Sequence, residues 1–291
     1  MTVSYPEMDK ERLKVIENIK SALERGDTFA KVELNDPVIT DEDIRRVIYP
    51  FDNLRKKPIN KLKAYIARVI ANRETKKINT STEIVGLENA LGIVGGAIIT
   101  CNHFNVIDNT IPRVLAQRCD RGKRFDIVVQ ASNVFMDGFF GFLMKNCNTL
   151  PVCASPHYTA KNLKPAIEKL LKRGDFILIY PEQEMWFNYK KPRNLREGAY
   201  HFAYDFNVPI IPCFIEMREI DGYDEQGFRN IKHTLHVMPP IYPDKSLTQR
   251  DGRAKMHELD RQYKNQCYER IYGISPDTEF IPERDIAGYH K

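Results

Sequence analysis

From Glu83 to Met238 the sequence alternates between two textures, and that alternation limits the possible fold more than any other feature. Short apolar runs at Ile84–Leu87, Ala97–Cys101, Phe125–Gln130, Thr149–Val152, Phe176–Tyr180, Ile210–Ile215 and Thr234–Met238 have the length and residue types of strands. Between them, Pro112–Arg118, Val134–Lys145, Ala160–Arg173 and Glu197–Phe206 carry helical patterns. Strands separated by helices need helical cover on the sheet faces. The spacing therefore predicts an α/β fold: a mixed, largely parallel sheet flanked by helices.

An N-terminal helical segment precedes this region. Helices are expected at Asp9–Arg25, at Asp41–Val47 behind a Thr40 cap, and at about Asn60–Arg73. A last helix, Thr248–Tyr272, leads into a polar tail with Pro276 and Pro282. The chain thus divides into a helical, basic, membrane-facing segment (1–80), an α/β domain (81–245), and a C-terminal helix with its tail (246–291).

Charge is concentrated in one place. Between Arg55 and Lys77 nine basic residues stand against the single acid Glu74, an excess larger than the net +5 of the whole chain. Within it Leu62, Tyr65, Ile66, Val69 and Ile70 recur at helical spacing. A basic helix with an apolar stripe suits an anionic lipid surface. A packed helix with a solvated basic face, or a nucleic-acid patch, would show the same pattern. The six cysteines form no CxxC pair, so neither a zinc site nor a disulfide scaffold is indicated. The charged start without an apolar leader adds to this, and the expectation is a cytoplasmic protein, peripheral on the inner face of a membrane. The longest run free of acidic and basic residues, Asn89–Ile107, is broken by three glycines and by Asn102, His103 and Asn105. It reads as a buried strand and a polar turn rather than a membrane span.

That turn holds the sharpest chemical signal. His103 and Asp108 lie five residues apart at the end of a buried strand, ahead of a helix placed near Pro112. A loop can fold the carboxylate onto one imidazole nitrogen, fixing the tautomer and leaving the other nitrogen as a base. An Asp that merely caps the helix is the alternative reading. Glu182 follows the strand Phe176–Tyr180, at the strand end where open α/β sheets place ligands. The run Val208-Pro209-Ile210-Ile211-Pro212 puts proline inside a strand, which predicts an edge strand or a bulge.

Taken in order, these segments resemble the PlsC-like lysophospholipid acyltransferase family, which carries N-H-x-x-x-x-D, then F-P-E-G-T-R, then V-P-I-x-P. Here they read Asn102-His103 to Asp108, Tyr180-Pro181-Glu182-Gln183-Glu184-Met185, and Val208 to Pro212. Arg196-Glu197-Gly198-Ala199 is similar to the family's K-x-G-A helix start. The resemblance implies transfer of a fatty acyl group from acyl-CoA or acyl-carrier protein to a hydroxyl of a lysophospholipid or related glycerolipid. It implies His103 as general base, Asp108 as its orienter, and Glu182 as a support for the pair or for the acceptor. No metal or prosthetic group is implied.

Two family arginines are absent: Cys153-Ala154 and Met185 stand in their places. Lys190, Lys191, Arg193 and Arg196 are expected to supply a relocated phosphate site or else to form a solvated basic loop, and Asn102 is expected to contact the substrate. Phe135, Phe139 and Phe140 are expected to line an acyl groove, or else to pack in the core. Trp186 packs on the acceptor or fills the core. The expected partners are an acyl donor, a lipid acceptor and a membrane reached through 55–77, with no nucleic acid. A non-catalytic lipid-binding protein, or a thioester or lipid ester hydrolase using the same dyad, remains the alternative function. Oligomeric state is not legible.

Overall fold

The computed structural model describes residues 6–34, 37–122 and 124–290, with Asp52 described by its backbone alone. Seven strands, β1 (Glu83–Val85), β2 (Ala97–Thr100), β3 (Phe125–Gln130), β4 (Thr149–Val152), β5 (Phe176–Ile179), β6 (Ile210–Tyr223) and β7 (Arg229–Val237), make one sheet in the order β1-β7-β6-β2-β5-β3-β4. Neighbouring strands run parallel, except β6 and β7. The sheet is mixed and largely parallel, with helices on its faces.

Successive strand residues point to opposite faces, and both faces are covered. Ile99, Leu178 and Ile211 pack with Ile111 and Leu115 of helix Thr110–Arg118. Their neighbours Ile98, Ile177 and Ile210 pack with Ile167 and Leu171 of helix Lys164–Arg173 and with Tyr200 and Ala203 of helix Gly198–Phe206. Each such aliphatic side chain contributes about 1.5–3 kcal/mol by burial. The C-terminal helix Gln249–Tyr272 is tied to β2 by a buried polar group. Lys264 pairs with Asp260, which also accepts from the hydroxyls of Thr100 (2.7 Å) and Tyr200 (2.6 Å).

Three expectations are corrected or narrowed. β6 and β7 run well past the apolar runs that marked them, because they continue as an antiparallel ladder from Glu216–Thr234 to Glu219–Ile231, exposed on β6 from Arg218 onward. Such an arm satisfies its own backbone without burial, so charged residues do not end it. Pro212 does not lie on an edge strand, since β6 sits between β7 and β2, but it does fall at an irregularity, where the three steps from Ile210 to Cys213 oppose the four from Val237 to Ile241. The proline is tolerated because it falls where β7 stops. The first β6–β7 pair is Cys213–Val237, and the Pro212 carbonyl accepts from Met238 N at 2.9 Å, so no ladder donor is missed. The helix expected at Val134–Lys145 is split. A 3₁₀ turn at Ala131–Phe135 ends before Gly138, whose φ of 65° opens a separate helix, Gly138–Asn146.

The N-terminal helices serve two different surfaces. Helix Lys10–Glu24, capped by Asp9, buries Val15, Ile16 and Ile19 against Trp186, Phe187 and Phe228. The basic helix Pro58–Ile78 lies against helices Thr110–Arg118 and Gly138–Asn146, and its buried residues are small: Ala64, Ala67 and Thr75. Its apolar stripe is therefore left outside, with Leu62 55% and Val69 51% exposed.

At the amino ends of β3 and β5 two carboxyl groups, Asp126 and Asp175, are buried together beside Arg173. Burial, and then the neighbouring Asp175, push Asp126 up to about 8. A carboxyl that keeps its proton only when folded loses stability as pH rises, from the unfolded value near 4 to the folded value. Asp126→Asn is expected to flatten this loss and to be more stable than wild type at pH 8, by about 1–3 kcal/mol. Urea melts of both proteins between pH 5 and 8 check it; parallel curves would contradict it.

Candidate active site

β2 and β5 are adjacent and parallel with Thr100 paired to Ile179, so Cys101 and Tyr180 leave the sheet side by side at its carboxyl edge. On the other flank of β2, the Asn102 amide extends the ladder toward β6. It accepts from Ile215 N at 2.8 Å and donates to Ile215 O at 3.1 Å. Asn102 thus aims the turn that follows and is itself buried, not open to an acceptor.

His103 comes next. Its Nδ1 is 2.8 Å from Asp108 Oδ2. The same oxygen accepts the backbone N–H groups of Phe104 (2.8 Å) and Asn105 (3.1 Å). Asp108 therefore binds amides upstream of itself, closing the loop. It does not cap helix Thr110–Arg118, whose Asn109 start has no side-chain cap. Its other oxygen, Oδ1, accepts from the Tyr180 hydroxyl at 2.5 Å, and the Tyr180 ring stacks on the imidazole with centroids 4.0 Å apart and planes 14° apart. Asp108 is fully buried, whereas the His103 side chain is 21% exposed. A carboxylate can only accept, so Nδ1 carries the hydrogen of this bond, and in the neutral ring the lone pair falls on Nε2. Among the described residues, Nε2 has no hydrogen-bond partner.

Glu182 is fully engaged inside the protein. Its Oε2 accepts from His103 N (3.1 Å) and pairs with the Arg193 guanidinium (3.1 Å), while Oε1 accepts from Arg193 N (3.1 Å). That guanidinium also donates to the carbonyls of Glu184 and Thr28, and to His103 O at 3.4 Å. The carboxylate thus holds the amide of His103 and the guanidinium holds its carbonyl. Of the two roles expected for Glu182, the geometry fits support of the His103–Asp108 pair. Further bonds from Trp186 N to His103 O (3.1 Å) and from Asn188 N to Phe104 O (3.0 Å) lock the loop to the 184–193 stretch.

The basic residues expected to meet the acceptor divide. Arg193 is buried against Glu182, and Lys191 is buried against Asp285 (3.3 Å) and the Thr278 carbonyl (2.5 Å). Neither can reach a ligand without abandoning a buried charge, which is strongly disfavoured. Lys190 lies over the Tyr272 ring, and burial lowers its pKa. Arg196 is exposed, lies over the Phe29 ring, and donates to Gln183. Trp186 is core: it is buried in the cluster of helix Lys10–Glu24 and donates to Ala30 O at 2.9 Å. The three phenylalanines do not line one enclosed groove. Phe135 packs at the margin of a core, whereas Phe139 and Phe140 stand exposed on helix Gly138–Asn146.

Cys153 and Ala154 border an open cleft of about 430 Å³. Lys164, His201, Asp205 and Arg253 also line it. Among the described residues no cluster of three or more His, Cys, Asp or Glu is placed to hold a metal ion. The group that sequence reasoning missed is Tyr180. Its apolar neighbours mark it as strand, and only the β2–β5 register places its hydroxyl on Asp108.

Residues 79–216 match the family model described as Acyltransferase. The chain's fold is similar to that of a solved protein, the 1-acyl-sn-glycerophosphate (LPA) acyltransferase PlsC from Thermotoga maritima. The match has a TM-score of 0.52 and 15% sequence identity, and covers 78% of this chain and 88% of that one. A search of curated proteins gives no match.

Proposed function

We propose that this chain, whose residues 79–216 match the Acyltransferase family model, is a PlsC-like enzyme that transfers a fatty acyl group from a thioester to a glycerolipid hydroxyl. The observation that carries the proposal is the asymmetry of His103: Nδ1 is tied to a buried carboxylate, while Nε2, on a partly exposed ring, has no hydrogen-bond partner among the described residues. In the proposed reaction Nε2 takes the proton of the acceptor hydroxyl as its oxygen bonds to the acyl carbonyl carbon. The C–S bond then breaks, and the imidazolium returns the proton to the departing thiolate. Asp108 stabilises the imidazolium between the two steps. No covalent enzyme intermediate is needed.

The donor is acyl-CoA or acyl-carrier protein, and the acceptor a lysophospholipid or related glycerolipid. With Lys191 and Arg193 committed to buried pairs, contacts to an acceptor headgroup fall to Lys190, Arg196 and the cleft beside Ala154. Incubating the protein with each donor and a total lipid extract, then weighing the new lipids, tests this. A new acylated glycerolipid supports it. Free fatty acid alone favours the hydrolase, and donor binding without any product favours a lipid-binding protein.

The same proposal includes docking on an anionic membrane. Among the described residues no helix is long and apolar enough to cross a membrane. The basic helix instead presents Ile59, Leu62, Tyr65, Ile66 and Val69 outward, beside exposed Phe139 and Phe140, with lysines flanking the stripe. Its buried side uses alanines, so little of its apolar content is spent on the protein. The cytosolic leaflet, which is anionic, is the proposed surface, and the six free thiols fit a reducing compartment. Leu62→Glu combined with Val69→Glu is expected to weaken binding to phosphatidylglycerol vesicles by about tenfold or more. Co-sedimentation checks this; unchanged binding would contradict it.

A further inference from the structure

The family motif F-P-E reads Tyr180-Pro181-Glu182 here, so this chain adds one hydroxyl at the carboxyl end of β5. That hydroxyl donates to Asp108 Oδ1 at 2.5 Å, and among the described residues no other donor reaches this oxygen. The remaining three bonds to the carboxylate all fall on Oδ2. We propose that Tyr180 is a positioning residue for the His103–Asp108 pair: its hydroxyl locks the carboxylate plane and moderates its charge, while its ring fixes the imidazole. The inference rests on the acyl-transfer reading for its catalytic meaning, but its physical content does not.

A carboxylate held on one side only can pivot about its Cβ–Cγ bond. With Tyr180 on Oδ1 the plane is fixed at both oxygens, and Oδ2 stays opposite Nδ1. The phenol also draws charge away from Oδ2, so Asp108 holds the imidazolium less tightly than a free carboxylate would. Burial, and then the charge of Asp108, keep the phenol well above its ordinary range, so it remains a donor. The other titratable groups around the pair leave this balance to Tyr180. Glu182 and Arg193 engage the backbone of His103 and neutralise each other. His233 of β7, behind Phe104, is pushed down to about 4 by burial and stays neutral at pH 7. The Cys101 thiol is raised by burial and stays protonated.

The test is an NMR titration of the His103 ring, assigned against His103→Gln, in three proteins. These are wild type, Tyr180→Phe, and the full chain with 3-fluorotyrosine at position 180. Tyr180→Phe keeps the stacking and loses the donor, and is expected to raise the titration midpoint by about 0.5–1 unit. Fluorotyrosine is a stronger donor and is expected to move the midpoint the other way. It preserves the side-chain framework, so it carries the test if Tyr180→Phe does not fold. With an acyl donor and acceptor, Tyr180→Phe is expected to lower kcat by about tenfold with KM for the donor within about twofold. Midpoints that do not move in either variant would overturn the proposal. Midpoints that move as described in a wild-type protein without transfer activity would leave Tyr180's role standing and remove the acyl-transfer reading instead.

Discussion

His103→Ala is expected to lower acyl transfer by about 10²–10⁴-fold while the protein stays folded. The separation of the two effects follows from how His103 is held. Its backbone N–H and carbonyl are bonded to Glu182, Trp186 and Arg193, and none of these bonds involves the imidazole. The ring is partly exposed and packs mainly on Tyr180. Removing it leaves a small hole at the surface of the site, so a stability cost of about 1 kcal/mol is expected. Steady-state transfer rates paired with a urea melt check both halves. A variant that transfers at the wild-type rate would remove His103 from the chemistry. One that loses activity only by unfolding would make it structural.

Asp108→Asn is expected to cost about 10²–10⁴-fold in kcat, the range of general acid–base catalysis, because the proposed base loses its orientation. An asparagine fits the same space. Its carbonyl can take the N–H groups of Phe104 and Asn105 at Oδ2, and its amide can face the Tyr180 hydroxyl, which also accepts. What is lost is the negative charge beside the imidazolium and the charge assistance of four hydrogen bonds. Stability is expected to fall by about 1.5–3 kcal/mol, enough to see in a melt but not to unfold the protein. A carboxylate that only closes the loop would give the reverse: a stability loss with the rate preserved.

The parts of the fold readable from sequence were those that local pattern alone decides. β3 and β4 have the bounds the apolar runs gave them, because both are short and neither has an exposed residue. Three helix starts were legible for a similarly local reason, since Asp9, Thr40 and Thr248 each cap a helix with their own side chains. The outer arm of β6 was not readable, because an exposed hairpin lacks the apolar signal that marks a buried strand. In the site, the close approach of His103 and Asp108 was legible from their spacing within one loop. The burial of Arg193 and Lys191 was not: their partners Glu182 and Asp285 lie 11 and 94 residues away, and a basic run that folds inward looks the same in sequence as one facing solvent. Tyr180 was hidden for a related reason, since its role depends on which strand lies beside β2.

The most direct measurement is the mass of the lipid formed from an isotopically labelled acyl thioester and a lysophospholipid presented in anionic vesicles, by wild type and by His103→Gln. Wild type should yield the acceptor plus the labelled acyl group, with one thiol released per ester formed, and the variant should yield almost none. Equal ester formation by the two proteins, or thiol release by wild type with only free labelled fatty acid, would contradict a His103-based acyl transfer.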